Sequence, residues 1–395
     1  MKKLSVVIAI VVVVLMVLAA CTATPAASSE AAASSAAPAS SAAPASSAAE
    51  ASSAAPASAD SSTSSIVTTP PQVATTGNED VVVGYNAGSD SIEFFTNVYN
   101  SLKFEAAKYG VKLLYTVSGF DPQKIMPNVD SLMMQGANVI IDFNVNNEVG
   151  GNIVDVVKQK GGKGVIGIDV EYFSANKTDR AWFMGANNQQ AGELCGEAIA
   201  KYAKENKDGK IDALVLFFNS ENGDLVKKRM GGAIQGLEKA GIKLTEDQIF
   251  WIDMGGGGSD TTIQGKDKFA AFLTAHPDMH SIATVAVNDE TTQGIFAAAQ
   301  TANRTDDCIL ASHNVSAQFV NLALKKDPSA KCWVGSVAYY PEKYGEYLIP
   351  MAIEIAQGKN ADPSKEYVMT HQFITQDMIP EYEKQVEEYK AQFTK

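Results

Sequence analysis

The sequence predicts an α/β fold built from two parallel sheets, and three observations carry that reading. From about residue 80 to the C-terminus, apolar runs of strand length alternate with amphipathic runs of helix length, the pattern of strands joined by helical crossovers. The strand runs number about ten, more than a strongly twisted open sheet usually carries, so the chain divides into two sheets. Polar clusters follow strand after strand, at the end where open α/β sheets bind ligands.

The first unit is Val81 to Phe95. Val81 to Tyr85 is a hydrophobic run that reads as a buried strand, Asn86 to Ser91 is a small polar turn, and a helix follows from about Glu93 to Tyr109. The turn offers Asp90, Ser91 and Glu93 as hydrogen-bonding groups and Phe94 and Phe95 as flat apolar faces. That mixture suits a sugar, whose hydroxyls need polar partners and whose C–H face packs on an aromatic ring. Apolar residues at a helix start are also ordinary core residues, and that reading of the two phenylalanines stands beside the first. The next strands are VKLLYTV from Val111, NVIIDF from Asn138, GVIGID from Gly164 and AWFMG from Ala181. A second series is IDALVLFF from Ile211, IFWIDM from Ile249, SIATVAV from Ser281, CILAS from Cys308 and CWVGSVAYY from Cys332. The turn Gly185-Ala186-Asn187-Asn188 is a natural first crossing between the two halves.

Polar groups recur just past these strands. Asn144 follows NVIIDF, Asp169 ends GVIGID, and Asn219, Ser220 and Glu221 follow LVLFF. Asn288 and Asp289 follow TVAV, His313 and Asn314 follow CILAS, and Tyr339 and Tyr340 close VGSVA. Asp289 reads better as the N-cap of the next helix, and Asn288 better as a site residue. Arg229 lies in VKKRMGGAIQGLEKAG, where the Gly231-Gly232 pair lets a helix approach other backbone closely and brings the arginine toward the cleft. Its planar fork can bind two oxygens at once.

The N-terminus begins Met1-Lys2-Lys3, runs apolar from Val6 to Val17 and ends Leu18-Ala19-Ala20-Cys21. A basic start, a short apolar stretch and small residues read as a secretory signal; a membrane anchor is the alternative, for which the run is short, and the Leu-Ala-Ala-Cys ending resembles the lipobox of bacterial lipoproteins. The resemblance implies a signal peptide over 1–20, a diacylglycerol on Cys21 and a chain exported and lipid-anchored on the outer face of the cell membrane, or facing a periplasm. Residues 21–78 hold that cysteine and an Ala/Ser/Pro segment with too little apolar surface to offset its ordering entropy. It reads as a flexible tether reaching on the order of 40 Å. The net charge is −13, which disfavours nucleic acid as a partner, since its backbone is bound by Lys and Arg.

From about residue 80 onward the chain resembles the type I periplasmic sugar-binding proteins, the ribose- and galactose-binding group. The stretches SIEFFTNVYNSLKFEAAKYG, GIDVEYF, KKRMGGAIQGLEKAG, FLTAHPDMHSIATVAVNDETTQGIFAAAQTA and SVAYYPEKYGE carry the resemblance. It implies two α/β lobes joined by three hinge strands, the first from 79–186 plus 340–366 and the second from 187–339 plus 367–395. It implies stacking faces at Phe94 and Phe95 and hydrogen-bonding groups at Asp169, Arg229 and Asn288. Asn314 and Tyr339 fall where the family usually has an acid and an amide, Ile92 replaces a frequent Asn or Asp, and Val170 replaces a frequent polar residue. These departures put the usual monosaccharides in doubt. The function implied is capture of a sugar or related polyol for the membrane subunits of an ABC importer, by a monomer with no cofactor and no metal. The same fold also serves binding proteins for nucleosides or signalling furanones, and sugar receptors feeding a sensor kinase.

Enzyme readings find little support. Of four histidines, His276 and His280 have metal-like spacing but enclose Pro277 and lack an acidic partner motif. Gly255 to Gly258 imitates a phosphate loop without the Gly-Lys-Ser/Thr that would follow; it reads as a cleft-edge loop presenting Asp253 or Asp260. Cys308 and Cys332 begin two strands flanking one helix, so their backbones are expected about 5 Å apart at the edge opposite the cleft. That spacing leaves a disulfide and two free thiols equally open. Cys195 reads as a buried small hydrophobe.

Overall fold

In a computed structural model, the residues described are 66–144, 146–220, 223–255, 261–359 and 362–394. The signal segment, Cys21 and the tether up to residue 65 lie outside them, as do Glu221, Gly256 to Gly258 and Asp260.

The first lobe begins with β1 (Ile66–Val67) and alternates β2 (Val82–Ala87), α1 (Glu93–Tyr109), β3 (Lys112–Val117), α2 (Pro122–Met134), β4 (Val139–Asp142), α3 (Asn147–Gln159), β5 (Gly164–Ile168) and β6 (Trp182–Ala186). The second runs α4 (Asn188–Asn206), β7 (Ala213–Phe218), α5 (Gly223–Lys239), β8 (Ile249–Asp253), α6 (Thr261–Ala275), β9 (Ile282–Ala286), α7 (Asp289–Thr301), β10 (Cys308–His313), α8 (Ala317–Lys325) and β11 (Trp333–Ala338). The chain then returns through α9 (Tyr344–Ala356) and β12 (Glu366–Met369) to the first lobe, and through β13 (Gln372–Thr375) and α10 (Ile379–Lys390) to the second. The 7-stranded sheet has order β1-β12-β6-β5-β4-β2-β3 and the 6-stranded sheet β13-β11-β10-β9-β7-β8. All neighbours are parallel except β13, which runs antiparallel to β11. Both sheets of the expected α/β architecture are present, and the strand runs read from the sequence are its strands.

The strands are apolar throughout because helices cover both faces. In the first lobe, Val98 and Leu102 of α1 and Leu348 and Ile349 of α9 pack with Val83, Tyr85 and Ile141 of the sheet, all buried. In the second, Ile199, Met230 and Phe269 of the helices pack with Leu214, Val285, Leu310 and Trp333. Helices α4 and α5 meet backbone to backbone. A Cβ on Gly192 would lie 1.9 Å from the Arg229 carbonyl, and one on Gly232 2.3 Å from that of Gln189. The close approach expected at Gly231-Gly232 therefore runs through Gly232 alone; a Cβ on Gly231 would meet nothing within 4 Å.

Two expectations need correction, and one question left open is decided. The first lobe starts before the boundary at Asn78: Ile66 and Val67 extend its sheet beside Glu366 and Tyr367. Thr68 O accepts from the Tyr347 hydroxyl at 2.7 Å, and Asn78 itself is buried with its amide on Tyr109 O. Composition did not show this because two apolar residues at a sheet edge gain their stability from a partner strand distant in sequence. The lobe boundary placed between residues 366 and 367 falls instead after Met369, since all of β12 pairs with β6. Cys308 and Cys332 are free thiols, as is Cys195. A register shift sets Leu310 opposite Trp333, so the cysteines are not paired in the ladder. The Cys308 thiol donates to Arg304 O and the Cys332 thiol to Ser329 O.

Candidate functional site

Three crossings join the lobes: Asn187 between β6 and α4, Tyr339 to Lys343 between β11 and α9, and Thr370-His371 between β12 and β13. The strand ends of both sheets meet along this seam, and two cavities of about 220 Å³ and 270 Å³ open on it. Asp169 and Val170 of the first lobe and Asn188 and Leu225 of the second line the smaller one. Glu93, Phe94 and Asn97 face Glu290, Asn314 and Tyr382 across the larger.

Arg229 is the central group. The α4–α5 contact forces its helix close, and its side chain is 7% exposed. Nε donates to Asn188 Oδ1 and Nη1 to Val287 O, both at 2.8 Å, and the guanidinium lies 4.8 Å over the Tyr339 ring. Two of its five N–H donors are engaged by these groups. Asp169 comes from the other lobe. Its backbone is left-handed, φ 60°, a costly conformation for a non-glycine residue. That turn aims Oδ1 at the Ala186 N–H at 2.6 Å and the Tyr344 hydroxyl at 3.2 Å. Burial raises the Asp169 pKa, while the Ala186 N–H, the Arg229 charge and the Tyr344 hydroxyl oppose the rise.

Asn144 is buried, its Oδ1 accepting from Asn146 N–H at 2.7 Å, and its Nδ2 has no partner among the described residues. Tyr172 holds it in place: the hydroxyl accepts from Asn144 N–H at 2.8 Å and lies 3.0 Å from Asp142 Oδ2. Burial lifts Asp142 to about 6, against hydrogen bonds from Asn86 and Tyr172. Asn314 is half-buried at φ 112°, fixed by its N–H on Val337 O at 2.9 Å. Phe94 is half-buried in edge-to-face contact with Phe95, Phe143 and Tyr344, and it reaches the larger cavity.

Other residues singled out in the sequence fall elsewhere. Phe95 is 4% exposed and packs on Phe120 and Phe143, so it is core. Asp90 and Ser91 are exposed on the turn before α1 and line neither cavity. Glu93 stands at the mouth of the larger one, 3.6 Å from Lys390 Nζ. Tyr339 is buried with its hydroxyl 2.9 Å from His313 Nδ1, so it supports Arg229 rather than offering a polar group to the seam. Asp253 spends Oδ1 on the N–H groups of Ser220 and Gly255, tying two loops together. The roles read for Asn288 and Asp289 are reversed in one respect. Asn288 is the N-cap of α7, with Oδ1 accepting from Thr291 N–H at 3.0 Å and from its hydroxyl at 2.6 Å. Asp289 is fully buried and accepts from the hydroxyls of Ser312 and Ser336 and from Ser316 N–H. The helix begins one residue earlier than the cap assignment required, which turns Asp289 inward. Sequence reasoning passed over Asn188, Tyr172, Tyr344 and His371. Asn188 stood beside the recognised crossing turn; the other three had no local signal, because their partners are distant in the chain.

Comparison with known proteins places this geometry in context. The model of the periplasmic binding protein domain matches residues 83–360. The ribose import binding protein of Escherichia coli is 26% identical over 216 residues, covering 54% of this chain and 66% of that protein. Its counterpart from Salmonella typhimurium is 27% identical over the same shares. The chain thus spans slightly less than two thirds of the curated relatives it matches. Among solved structures, an ABC transporter solute-binding protein from Mycobacterium smegmatis with bound glycerol has TM-score 0.62 at 19% identity, covering 76% of this chain and 96% of that one. A Caulobacter myo-inositol binding protein bound to myo-inositol has TM-score 0.61 at 19% identity, covering 78% and 98%. An ABC transporter periplasmic solute-binding protein from Actinobacillus succinogenes with bound D-allose has TM-score 0.62 at 15% identity, covering 76% and 100%. At these identities the structural likeness establishes the fold.

Proposed function

We propose, from the premise that this chain belongs to the periplasmic binding protein family, that it captures a sugar or related polyol between its lobes and delivers it to an ABC importer. The observation that carries this reading is that Asp169 of one lobe feels the charge of Arg229 of the other across the seam. Asn188, bonded to Arg229 at 2.8 Å, lines the same cavity as Asp169. Groups split between lobes engage one ligand together only when the lobes close, so ligand favours the closed form by its differential affinity for it. Polyhydroxylated ligands fit the available chemistry: an arginine fork, the donor Nδ2 of Asn144, the half-buried Asn288 and Asn314, and the Phe94 ring. The protein performs no chemistry in this reading. It acts as a monomer, held to the outer face of the membrane through Cys21, and presents its closed shape to the importer's membrane subunits.

Thermal-shift and calorimetric titration with ribose, allose, myo-inositol and allitol tests the proposal. A true ligand at one hundred times its Kd stabilises the fold by about 2.7 kcal/mol. A panel of sugars and polyols that leaves the melting temperature unchanged, while a nucleoside or a furanone raises it, would overturn the ligand class.

A further inference from the structure

His371 stands in the third crossing, 6% exposed, and its ring reaches the other two. Nε2 accepts from the N–H of Asn187, the N-cap of α4 in the first crossing, at 3.0 Å. Nδ1 lies 3.2 Å from the carbonyl of Ala338, the last residue of β11 at the second crossing. The backbone dictates the ring's chemistry. An amide N–H only donates and a carbonyl only accepts, so the proton sits on Nδ1 and the imidazole is neutral. The ring also meets Tyr339 edge-to-face at 4.8 Å, and Tyr339 supports the Arg229 guanidinium 4.8 Å above it. Arg229 in turn holds Asn188, the neighbour of Asn187, which closes the circuit.

We propose that His371 is a positioning residue for ligand capture: its neutral imidazole pins the three interlobe crossings to one another and thereby fixes Arg229 at the seam. The inference rests on the seam being a closing cleft, and not on which ligand it closes around. Each crossing is a short run of backbone able to absorb a change of φ and ψ independently. A side chain bonded to two crossings from the third makes them turn together. Arg229 from α5, His313 from β10 and Tyr339 from the second crossing are the titratable neighbours of the ring. Burial holds the His371 pKa down to about 4, with the Ala338 hydrogen bond opposing the fall and the Arg229 charge adding to it. The acceptor at Nε2 therefore persists at neutral pH.

The test needs no ligand. Amide hydrogen exchange at Asn187 reports the bond, and spin labels on exposed positions of opposite lobes, Met134→Cys and Leu324→Cys, report the distribution of lobe separations. In the full chain, His371→Phe is expected to speed Asn187 exchange about tenfold, the loss of one hydrogen bond's worth of protection, and to broaden the label distances. His371→Gln, whose amide can both accept from Asn187 and donate to Ala338, is expected to restore both readouts. Unchanged exchange and separations in the Phe variant would overturn the proposal, and so would a Gln variant that behaves like Phe. Should Phe prevent folding, His371→Ala removes both bonds without added bulk and is read in the same way. A sugar panel without a hit would refute the ligand class and leave these outcomes untouched.

Discussion

Replacement of Asp289 by Asn isolates a contest between burial and hydrogen bonding. The Asp289 carboxyl is fully buried at the start of α7, where its three donors are the hydroxyls of Ser312 and Ser336 and the Ser316 N–H. Donors favour the carboxylate; burial favours the neutral acid. Burial wins, and with Glu290 nearby the pKa rises to about 7 against the three hydrogen bonds. In the unfolded chain the group titrates near 3.9. The folded value is the higher, so folding is favoured by the proton: the contribution is complete below about 4 and is lost as pH rises through about 7. At 1.36 kcal/mol per unit, the loss across that window is about 4 kcal/mol. Asp289→Asn cannot ionise and lacks this dependence. It sets an amide donor against the Ser316 N–H, a cost of about 1–3 kcal/mol at all pH values. The variant is therefore expected to be less stable than the wild type at about pH 4.5 and to gain about 3 kcal/mol relative to it by about pH 8, since about 1 kcal/mol of the loss has already occurred at about pH 4.5. Urea unfolding of both proteins across that range measures the difference, from which Asp142 and His371 cancel because both proteins contain them. A difference that stays flat with pH would show that the three donors keep Asp289 ionised and would refute the reasoning.

Other expectations follow from the same geometry. Arg229→Ala should weaken binding of the identified ligand by about 2–5 kcal/mol in calorimetry, as expected when a buried, hydrogen-bonded charge is truncated; unchanged affinity would remove it from the site. Phe95→Leu should cost about 1 kcal/mol of stability and leave affinity intact, whereas Phe94→Leu should lower affinity more than stability; paired melts and titrations separate them. Gly192→Ala should destabilise by about 1–3 kcal/mol or more, because its methyl meets the Arg229 carbonyl and no side chain can move aside; a wild-type melting temperature would contradict the backbone contact between α4 and α5. Mass spectrometry after alkylation in denaturant without reductant should find Cys308 and Cys332 both modified, and a linked peptide pair would overturn the free-thiol assignment.

The sequence by itself determined the α/β class, the division into two sheets, and the strand ends that carry polar groups. These are properties of local pattern. A strand buried on both faces must be apolar along its length, and the residue after it must turn, so each leaves its mark within a few neighbours. The same locality marked the burial of Arg229, because Gly232, which draws α5 against α4, lies beside it in sequence. Tertiary structure decided what depends on distant partners. Asn288 and Asp289 are adjacent and chemically similar, and only the serines of β10, β11 and the start of α8 determine that Asp289 turns inward while Asn288 caps the helix. Phe94 and Phe95 are identical residues at one helix start; Phe120 and Phe143 enclose the second of them. His371 carried no signal, since its meaning lies in Asn187 and Ala338, residues brought to it by chain crossings that no window of sequence contains.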